Sequence, residues 1–236
     1  MVVGMRFFRR RKASPPDPRT EWPAPEVPED PMTAAVAFWR RWFELLPRVS
    51  AALGDREPQR MEHELCAAVA MVHPRLQFSV ERGRRAIYAL VLSGQEDPEL
   101  RPYTDAWIQA APAEDAIWEY HDSVPPVPDP AEVTVNLGDR RIALADVGVV
   151  AQVDEGEAVV DVAVYHPELS GLDDASRSAM TFLPLDATLG ERLAAERLRR
   201  VETAETEPAA TITLLELREL VRGLAERTEP PTADGT

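Results

Sequence analysis

The order of local patterns in this chain occurs twice, and that order most constrains the fold. Residues 75–121 predict two strands, a helix and a strand, and residues 148–203 predict the same succession. A hairpin-helix-strand unit leaves one sheet face uncovered, so helices must pack against it. The predicted fold class is therefore α+β: an antiparallel or mixed sheet built from two strand-strand-helix-strand units, with helices packed mainly on one face. The repeated order fits either an old duplication or a coincidence, because no residue-level identity links the halves.

Proline content sets the expected boundaries. Residues 1–32 carry a basic arm and a proline-rich linker and are predicted to be disordered, because proline removes backbone donors and fixes φ. The folded body is expected over residues 33–226 as a single α+β domain with halves at about 33–124 and 131–226. Residues 227–236 are predicted to be a disordered tail.

Along the chain, helices are predicted both before the first strands and after the last strand. The first is expected over 33–53, with Thr33 as its N-cap and Val36 and Phe43 on the buried stripe together with the tryptophans. Pro47 predicts either a kink or a short second helical segment, and in the second half Pro184 predicts a kink. A second helix is expected over 58–72. The last helix begins at Thr213, where Thr213-Leu214-Leu215-Glu216 matches a capping box. The final strand, ending at Val201, overlaps a stretch that also fits a helix.

The net charge of the chain limits the kinds of partner it can bind. The chain of 236 residues has a formal net charge of −15, and residues 1–12 hold five basic residues and no acid. The rest therefore carries 21 basic and 41 acidic residues, a net of −20. Such a body repels phosphate backbones, so nucleic acid is not expected to bind it, whereas a basic protein is. Solubility alone is the simpler explanation of the charge.

Cysteine usage and apolar runs indicate a cytoplasmic protein. Cys66 is the one cysteine, so no intrachain disulfide is possible. No apolar run approaches the roughly 20 residues needed to span a bilayer, and the basic start is followed by Ala13-Ser14-Pro15-Pro16 rather than by the apolar core of a signal peptide.

Several short stretches together resemble a family of uncharacterised bacterial proteins of unknown function. The resemblance covers about residues 36–205 and implies a bacterial cytoplasmic setting and a consistent fold, but no activity. The stretches that carry it are Phe38-Trp39-Arg40-Arg41-Trp42-Phe43, His73-Pro74-Arg75-Leu76-Gln77-Phe78, Ala110-Ala111-Pro112 followed by Trp118, Asp161-Val162-Ala163-Val164-Tyr165 and Leu185-Asp186-Ala187-Thr188-Leu189-Gly190-Glu191.

No cofactor or metal is predicted. The sequence contains neither of the phosphate-binding motifs GxGxxG and GxxxxGK[ST], and it lacks the nucleophile motif GxSxG. A nucleotide-dependent activity is therefore not favoured. His63 and Cys66 stand at i and i+3, but a metal site needs three or four ligands. The simpler interpretation makes Cys66 a small core residue and His63 a surface residue.

Two histidines are the best candidates for catalysis. His121 and His166 both follow predicted strands, one in each unit, with Asp122 and Glu168 close in sequence. A histidine paired with a carboxylate at converging strand ends can act as a general acid or base, which is the basis for a hydrolase-like hypothesis. The alternative is that strand-end histidines are partly exposed and have no catalytic role.

The N-terminal arm and the aromatic residues suggest contacts of another kind. Trp39, Trp42, Trp107 and Trp118 are predicted core anchors, whereas Trp22 lies in the proline-rich linker and is a candidate docking residue. The arm can touch an anionic membrane surface, weakly and reversibly, through residues 5–12. It can also fold back on the acidic body, bind RNA or have no role. Its candidate contact residues are Arg6, Phe7, Phe8, Arg9, Arg10, Arg11 and Lys12.

The leading functional hypothesis is a non-enzymatic cytoplasmic binding protein with an acidic surface. One specific form is an immunity-type protein that neutralises a basic toxin through complementary charge. The alternatives are the hydrolase-like enzyme and a peripheral membrane adaptor that uses the basic arm. The sequence leans away from an enzyme and sets no oligomeric state.

Overall fold

The structure is a computed structural model that describes residues 29–137 and 140–228, together with the backbone of residues 8–9. Its helices are α1 (Pro31–Gly54), α2 (Glu62–Val72), α3 (Arg101–Gln109), α4 (Asp174–Leu189), α5 (Glu191–Arg197) and α6 (Leu214–Thr228). Its strands are β1 (Phe8–Arg9), β2 (Gln77–Arg82), β3 (Tyr88–Ser93), β4 (Trp118–His121), β5 (Thr134–Leu137), β6 (Arg140–Ala143), β7 (Gly148–Asp154), β8 (Val159–Tyr165) and β9 (Leu198–Thr203). The α+β class is confirmed.

The chain divides into two compact units at Val124 and Pro125. Each unit has its own hydrophobic core cluster, and no residue belongs to both clusters. The first unit ends where the first predicted half ends, but the second starts at Pro125 rather than at 131. The expectation that the two halves form one domain stays a prediction.

In the first unit, the strand order of the sheet is β1-β2-β3-β4. β2 and β3 form an antiparallel hairpin, α3 crosses over, and β4 returns parallel to β3. The sheet face that carries Phe78, Val80 and Leu90 belongs to the core cluster with residues of α1, α2 and α3. The backbone of Phe8–Arg9, inside the predicted disordered arm, pairs with β2. Residues 1–7 and 10–28 lie outside the described residues.

The first core is built around aromatic residues, as the sequence predicts. Trp42 and Trp107 are fully buried, and the Trp42 ring meets Trp118 edge-on at 4.9 Å between centroids. The Trp39 indole N–H donates to the backbone carbonyl of Trp107 at 2.7 Å. This bond ties α1 to α3 and satisfies a polar atom that burial would otherwise leave unpaired.

Helix α1 corrects the expected N-cap and the expected buried face, and Pro47 does not divide it. Its N-cap is Asp30, whose carboxylate accepts from the Thr33 backbone N–H at 2.9 Å, so Thr33 is not the cap. The helix continues through Pro47 without dividing. Val36 and Phe43, expected on the buried stripe, are 48% and 56% exposed. The helix has more apolar residues than one face can hold. The side of the helix that carries Trp39 and Trp42 is buried, and the apolar residues on the other side stay exposed.

The second unit repeats the topology of the first. β7 and β8 form an antiparallel hairpin, α4 and α5 follow, and β9 lies parallel to β8. The stretch before Val201, which fits both a helix and a strand, contains one of each. Helix α5 ends at Arg197 and strand β9 begins at Leu198. Helix α4 continues through Pro184. Ahead of these elements, β5 pairs with β6 in a further antiparallel hairpin.

Helices α4 and α6 cover one face of the second sheet. Every second residue of β8 is buried in the second core, namely Val160, Val162 and Val164. Helix α4 contributes Met180 and helix α6 contributes Leu217 to the same core. The capping box at the start of α6 is confirmed. The Thr213 backbone N–H donates to Glu216 at 2.7 Å, and the Glu216 N–H donates to the Thr213 hydroxyl at 3.2 Å.

Arg218 on α6 holds the proline-rich bridge of the second unit. Its side chain is buried, and its guanidinium donates to the backbone carbonyls of Thr188 at 2.7 Å, Pro128 at 2.8 Å and Val127 at 2.7 Å. A buried cation needs such partners because desolvation is costly. The segment from Val127 therefore belongs physically to the second unit.

Among the described helices, none combines the length and the apolar character that crossing a bilayer requires.

Candidate interaction surface

Negative charge is concentrated in the second unit. Residues 125–228 contain 20 acidic and 10 basic residues, a net charge of −10, whereas residues 29–124 contain 16 and 10, a net of −6. Among the described residues of the second unit, 14 acidic side chains are exposed against six arginines. The field outside this unit is therefore strongly negative.

The topology of the second sheet brings many of these carboxylates to one end. β7 is antiparallel to β8 and β9 is parallel to it, so the start of β7 lies beside the ends of β8 and β9. Helix α4 also begins at this end, because it follows β8 after a short connection. We call this surface the acidic end. Its exposed acidic residues are Asp146, Glu168, Asp173, Asp174, Glu202, Glu205 and Glu207.

Few cations offset the acidic end. Arg140 lies 3.8 Å from Glu168, and Arg200 forms an ion pair with Glu202. Arg177 lies 3.7 Å from Asp174 and also donates to the carbonyls of Leu169 and Leu172 at 3.4 and 3.1 Å. Glu205 and Glu207 form no ion pair with any described residue. The surface thus keeps an excess of negative charge that is open to solvent.

At the opposite end of the same sheet, three carboxylates share one arginine. Arg199 donates to Asp161 at 2.7 Å, to Asp154 at 3.0 Å and to Glu157 at 2.9 Å. These three carboxylates raise the pKa of Arg199, and hydrogen bonds from its guanidinium help to lower the pKa of Asp161 and of Asp154. The carboxylates here are engaged by one cation, so this end differs electrostatically from the acidic end.

The described carboxylates of the acidic end do not form a metal-binding cluster. Within the described ranges, no group of three histidine, cysteine, aspartate or glutamate side chains has the geometry to hold a metal ion. Cys66 is partly buried against the first core and His63 is exposed, which agrees with the simpler interpretation of that pair.

His121 does pair with a carboxylate, but with Glu119 rather than Asp122. Its Nε2 lies 3.0 Å from Glu119 Oε1, and the imidazole is 21% exposed at the end of β4. Residues i and i+2 of a strand share a face, so strand periodicity alone could have indicated this partner.

Glu119 also fixes the turn between β2 and β3. Its carboxylate accepts from the backbone N–H groups of Arg84 at 2.9 Å, Arg85 at 2.8 Å and Ala86 at 3.0 Å. Burial opposes ionisation, but the hydrogen bonds from these amides and from His121 outweigh it and lower the pKa of Glu119 to about 2. The carboxylate is therefore committed to holding local structure.

His166 is buried and both of its ring nitrogens are engaged. Nδ1 accepts from the Glu168 backbone N–H at 3.1 Å, and Nε2 lies 3.2 Å from the Ala143 carbonyl. A carbonyl only accepts, so Nε2 carries the proton. His73, which also precedes a proline, accepts from the Arg75 N–H in the same way at 3.2 Å. Such bonds suit a histidine that shapes a chain bend.

The two candidate histidines occupy different places in the repeated topology. His121 ends β4, the strand after the helix of the first hairpin-helix-strand repeat, whereas His166 follows β8, the second hairpin strand of the other repeat. They are therefore not equivalent positions of a repeat. Of the arm residues, the structure describes only the backbone of Phe8 and Arg9. The other candidate contact residues lie outside the described residues; they are Arg6, Phe7, Arg10, Arg11, Lys12 and Trp22.

Comparison with known proteins finds no family model, no curated protein and no solved structure that matches this chain.

Proposed function

We propose that the protein is a non-enzymatic binding protein whose acidic end captures a basic protein partner. The observation that carries the proposal is the convergence of seven exposed carboxylates at one end of the second sheet, whereas at the opposite end Arg199 pairs with three carboxylates. A one-sign surface steers an oppositely charged protein and accelerates its association. An immunity-type role, a bacterial origin and a cytoplasmic location are part of the same proposal.

The test compares two full-length variants that lose the same charge. The acidic-end variant carries Asp174→Asn, Glu205→Gln and Glu207→Gln. The control variant carries Glu155→Gln, Glu219→Gln and Glu226→Gln, which are exposed residues of the second unit outside the acidic end. Each immobilised protein is incubated with host lysate at low and high salt, and the retained basic protein is purified for binding kinetics.

We expect wild type and control to retain the same basic protein and to release it in salt. The acidic-end variant should associate with it about tenfold more slowly at low ionic strength, within the range expected of electrostatic steering. Equal association by both variants, or binding that is insensitive to salt, would contradict the proposal. So would the absence of any basic protein retained in a salt-dependent manner.

One observation favours a second candidate function, a hydrolase-like activity at His121. The imidazole is oriented by the buried Glu119 carboxylate at 3.0 Å and remains partly exposed, as a general base requires. Hydrolysis of activated esters by wild type and not by His121→Gln would support this candidate.

The membrane-adaptor alternative depends on residues 5–12, and of these only the backbone of Phe8 and Arg9 is described. It stays a prediction. Co-sedimentation with vesicles that contain anionic lipid, compared between wild type and a variant with neutral residues in place of the arm's arginines, tests it directly.

A further inference from the structure

The second sheet has one covered edge and one open edge. On the β7 side, Val149 exchanges two backbone hydrogen bonds with Ile212, at 2.9 and 2.8 Å. On the β9 side, the Ala204 N–H donates to a β8 carbonyl at 2.8 Å. Backbone groups alternate in direction along a strand, so those of Val201 and Thr203 point away from β8. Among the described residues, no strand pairs with this outer side of β9.

Charges of both signs lie along the open edge. Arg200 and Glu202 form an ion pair, and their side chains are 69% and 53% exposed. Both lie on the sheet face away from α4, because Val201 packs against the second core and the Thr203 hydroxyl lies 2.7 Å from that of Thr181. Many proteins protect an open edge with charged side chains that discourage pairing with another strand. An arginine and a glutamate two residues apart are instead complementary to a second copy of the same edge.

These charges select one register for such a pair. Opposite residues of an antiparallel pair share a face, so the two-fold axis must place one residue of β9 opposite itself. With the axis at Val201, Arg200 lies opposite the Glu202 of the second copy, and Glu202 lies opposite its Arg200. An axis at Arg200 or at Glu202 would place like charges opposite each other. The axis at Val201 also lets the two Val201 residues exchange their outward backbone hydrogen bonds.

An exposed aromatic residue lies beside the edge on its helix side. Phe182 is 49% exposed and directly follows Thr181, which contacts Thr203 of β9. A bulge before Arg200 keeps the regular part of β9 short, so a pair of strands needs further apolar area to be stable. A two-fold axis perpendicular to the sheet keeps the α4 helices of both copies on one face. Their Phe182 side chains supply apolar area there.

We propose that the outer edge of β9 is a self-association surface, at which two copies of this chain pair their β9 strands antiparallel about Val201. The two three-stranded sheets then form one six-stranded sheet. Because the two copies run in opposite directions, their acidic ends lie at opposite ends of the joined sheet. The surface is separate from the proposed function and does not depend on it.

The test measures the self-association of full-length protein by sedimentation equilibrium. Wild type should dimerise with a dissociation constant of about 100 μM or below. Arg200→Glu makes the edge acidic and Glu202→Arg makes it basic, so each variant alone should dimerise at least about tenfold more weakly, because both cross-strand pairs become repulsive. An equal mixture of the two variants should form heterodimers, because each arginine again lies opposite a glutamate. Glu219→Arg, on the exposed face of α6, is the matched control and should dimerise like wild type.

Two uncharged changes test the same surface. Val201→Pro removes an N–H that points away from β8, so it should abolish dimerisation without removing a bond inside the sheet. Val201→Thr keeps that N–H and should dimerise like wild type. Phe182→Ser should weaken dimerisation, whereas Leu215→Ser, at a similarly exposed position of α6, should leave it unchanged. If Arg200→Glu does not fold, Glu202→Arg and Val201→Pro still decide the question.

Several results would overturn the proposal. They are wild type that stays monomeric up to about 1 mM, equal dimerisation by wild type and both charge-reversed variants, and a mixture of those variants that stays monomeric. The acidic-end variant should dimerise like wild type, which separates this proposal from the proposed function. Dimers that capture no basic protein would refute the proposed function alone, and capture by a protein that is always monomeric would refute the edge proposal alone.

Discussion

Replacing Glu119 with glutamine should destabilise the first unit selectively. The Glu119 carboxylate is 1% exposed and accepts hydrogen bonds from three backbone amides and from His121. A glutamine keeps one acceptor oxygen but turns its amide group, a donor, towards backbone donors. The turn at residues 84–86 would lose part of its anchorage to β4, and partly buried N–H groups would be left without their acceptor.

The pKa of Glu119 gives the size of the effect. It falls from the ordinary 4.5 to about 2 on folding, which at roughly 1.4 kcal/mol per pKa unit amounts to about 3 kcal/mol of stabilisation of the ionised form. Because the folded pKa is the lower one, this stabilisation is complete above about pH 5 and declines as the pH falls from 4.5 towards 2. Glu119→Gln should therefore cost about 3 kcal/mol at pH 7 and progressively less in acid.

Tryptophan fluorescence during urea unfolding isolates the relevant unit. The tryptophans are Trp22, Trp39, Trp42, Trp107 and Trp118, all before residue 125. Glu62→Gln, an exposed glutamate on α2, is the matched control and should change the unfolding free energy by less than about 0.5 kcal/mol. A loss below 1 kcal/mol for Glu119→Gln at pH 7, or a loss that does not diminish below pH 4, would refute the reasoning.

Three further substitutions test other contacts. Arg218→Met leaves three backbone carbonyls without their donor and should cost about 3 kcal/mol in the second unit, seen by circular dichroism. The exposed Arg222→Met on the same helix should cost under about 0.5 kcal/mol. Thr213→Ala removes the capping box and should cost about 1 kcal/mol, with faster amide exchange in the first turn of α6. Phe43→Ser on the exposed face of α1 should change the free energy of unfolding very little, whereas Phe38→Ala, at a buried position, should lower it by about 3–5 kcal/mol in urea unfolding. Equal losses of stability in the two variants would instead support the sequence-based prediction that Phe43 is buried.

Local patterns predicted the elements because their causes are local. Alternation of apolar and polar residues suffices to identify both hairpins, and the Thr213–Glu216 box marks the start of the last helix. The buried face of α1 was predicted incorrectly because the helix carries apolar residues over most of its circumference. Which of them become buried depends on Trp107 and Trp118, which are far away in sequence.

The functional features depend on non-local pairing and were harder to predict. The three amides that Glu119 holds precede it by 33 to 35 residues, and no sequence pattern reports that distance. The acidic end exists because β9 returns parallel to β8, which brings Glu202 beside the end of a strand that finished at Tyr165. The overall charge could be read from composition, whereas its concentration at one end could not.

The three bonds made by Arg218 also determine where the protein can be divided. A fragment that begins at residue 131, the start of the second half expected from sequence, would lack the carbonyls of Val127 and Pro128. It would retain a buried guanidinium with those two acceptors missing, and should aggregate or be cleared as misfolded chain. A fragment that begins at Pro125 keeps the anchor. Expression studies and searches for natural single-unit relatives should therefore place the boundary before the proline bridge.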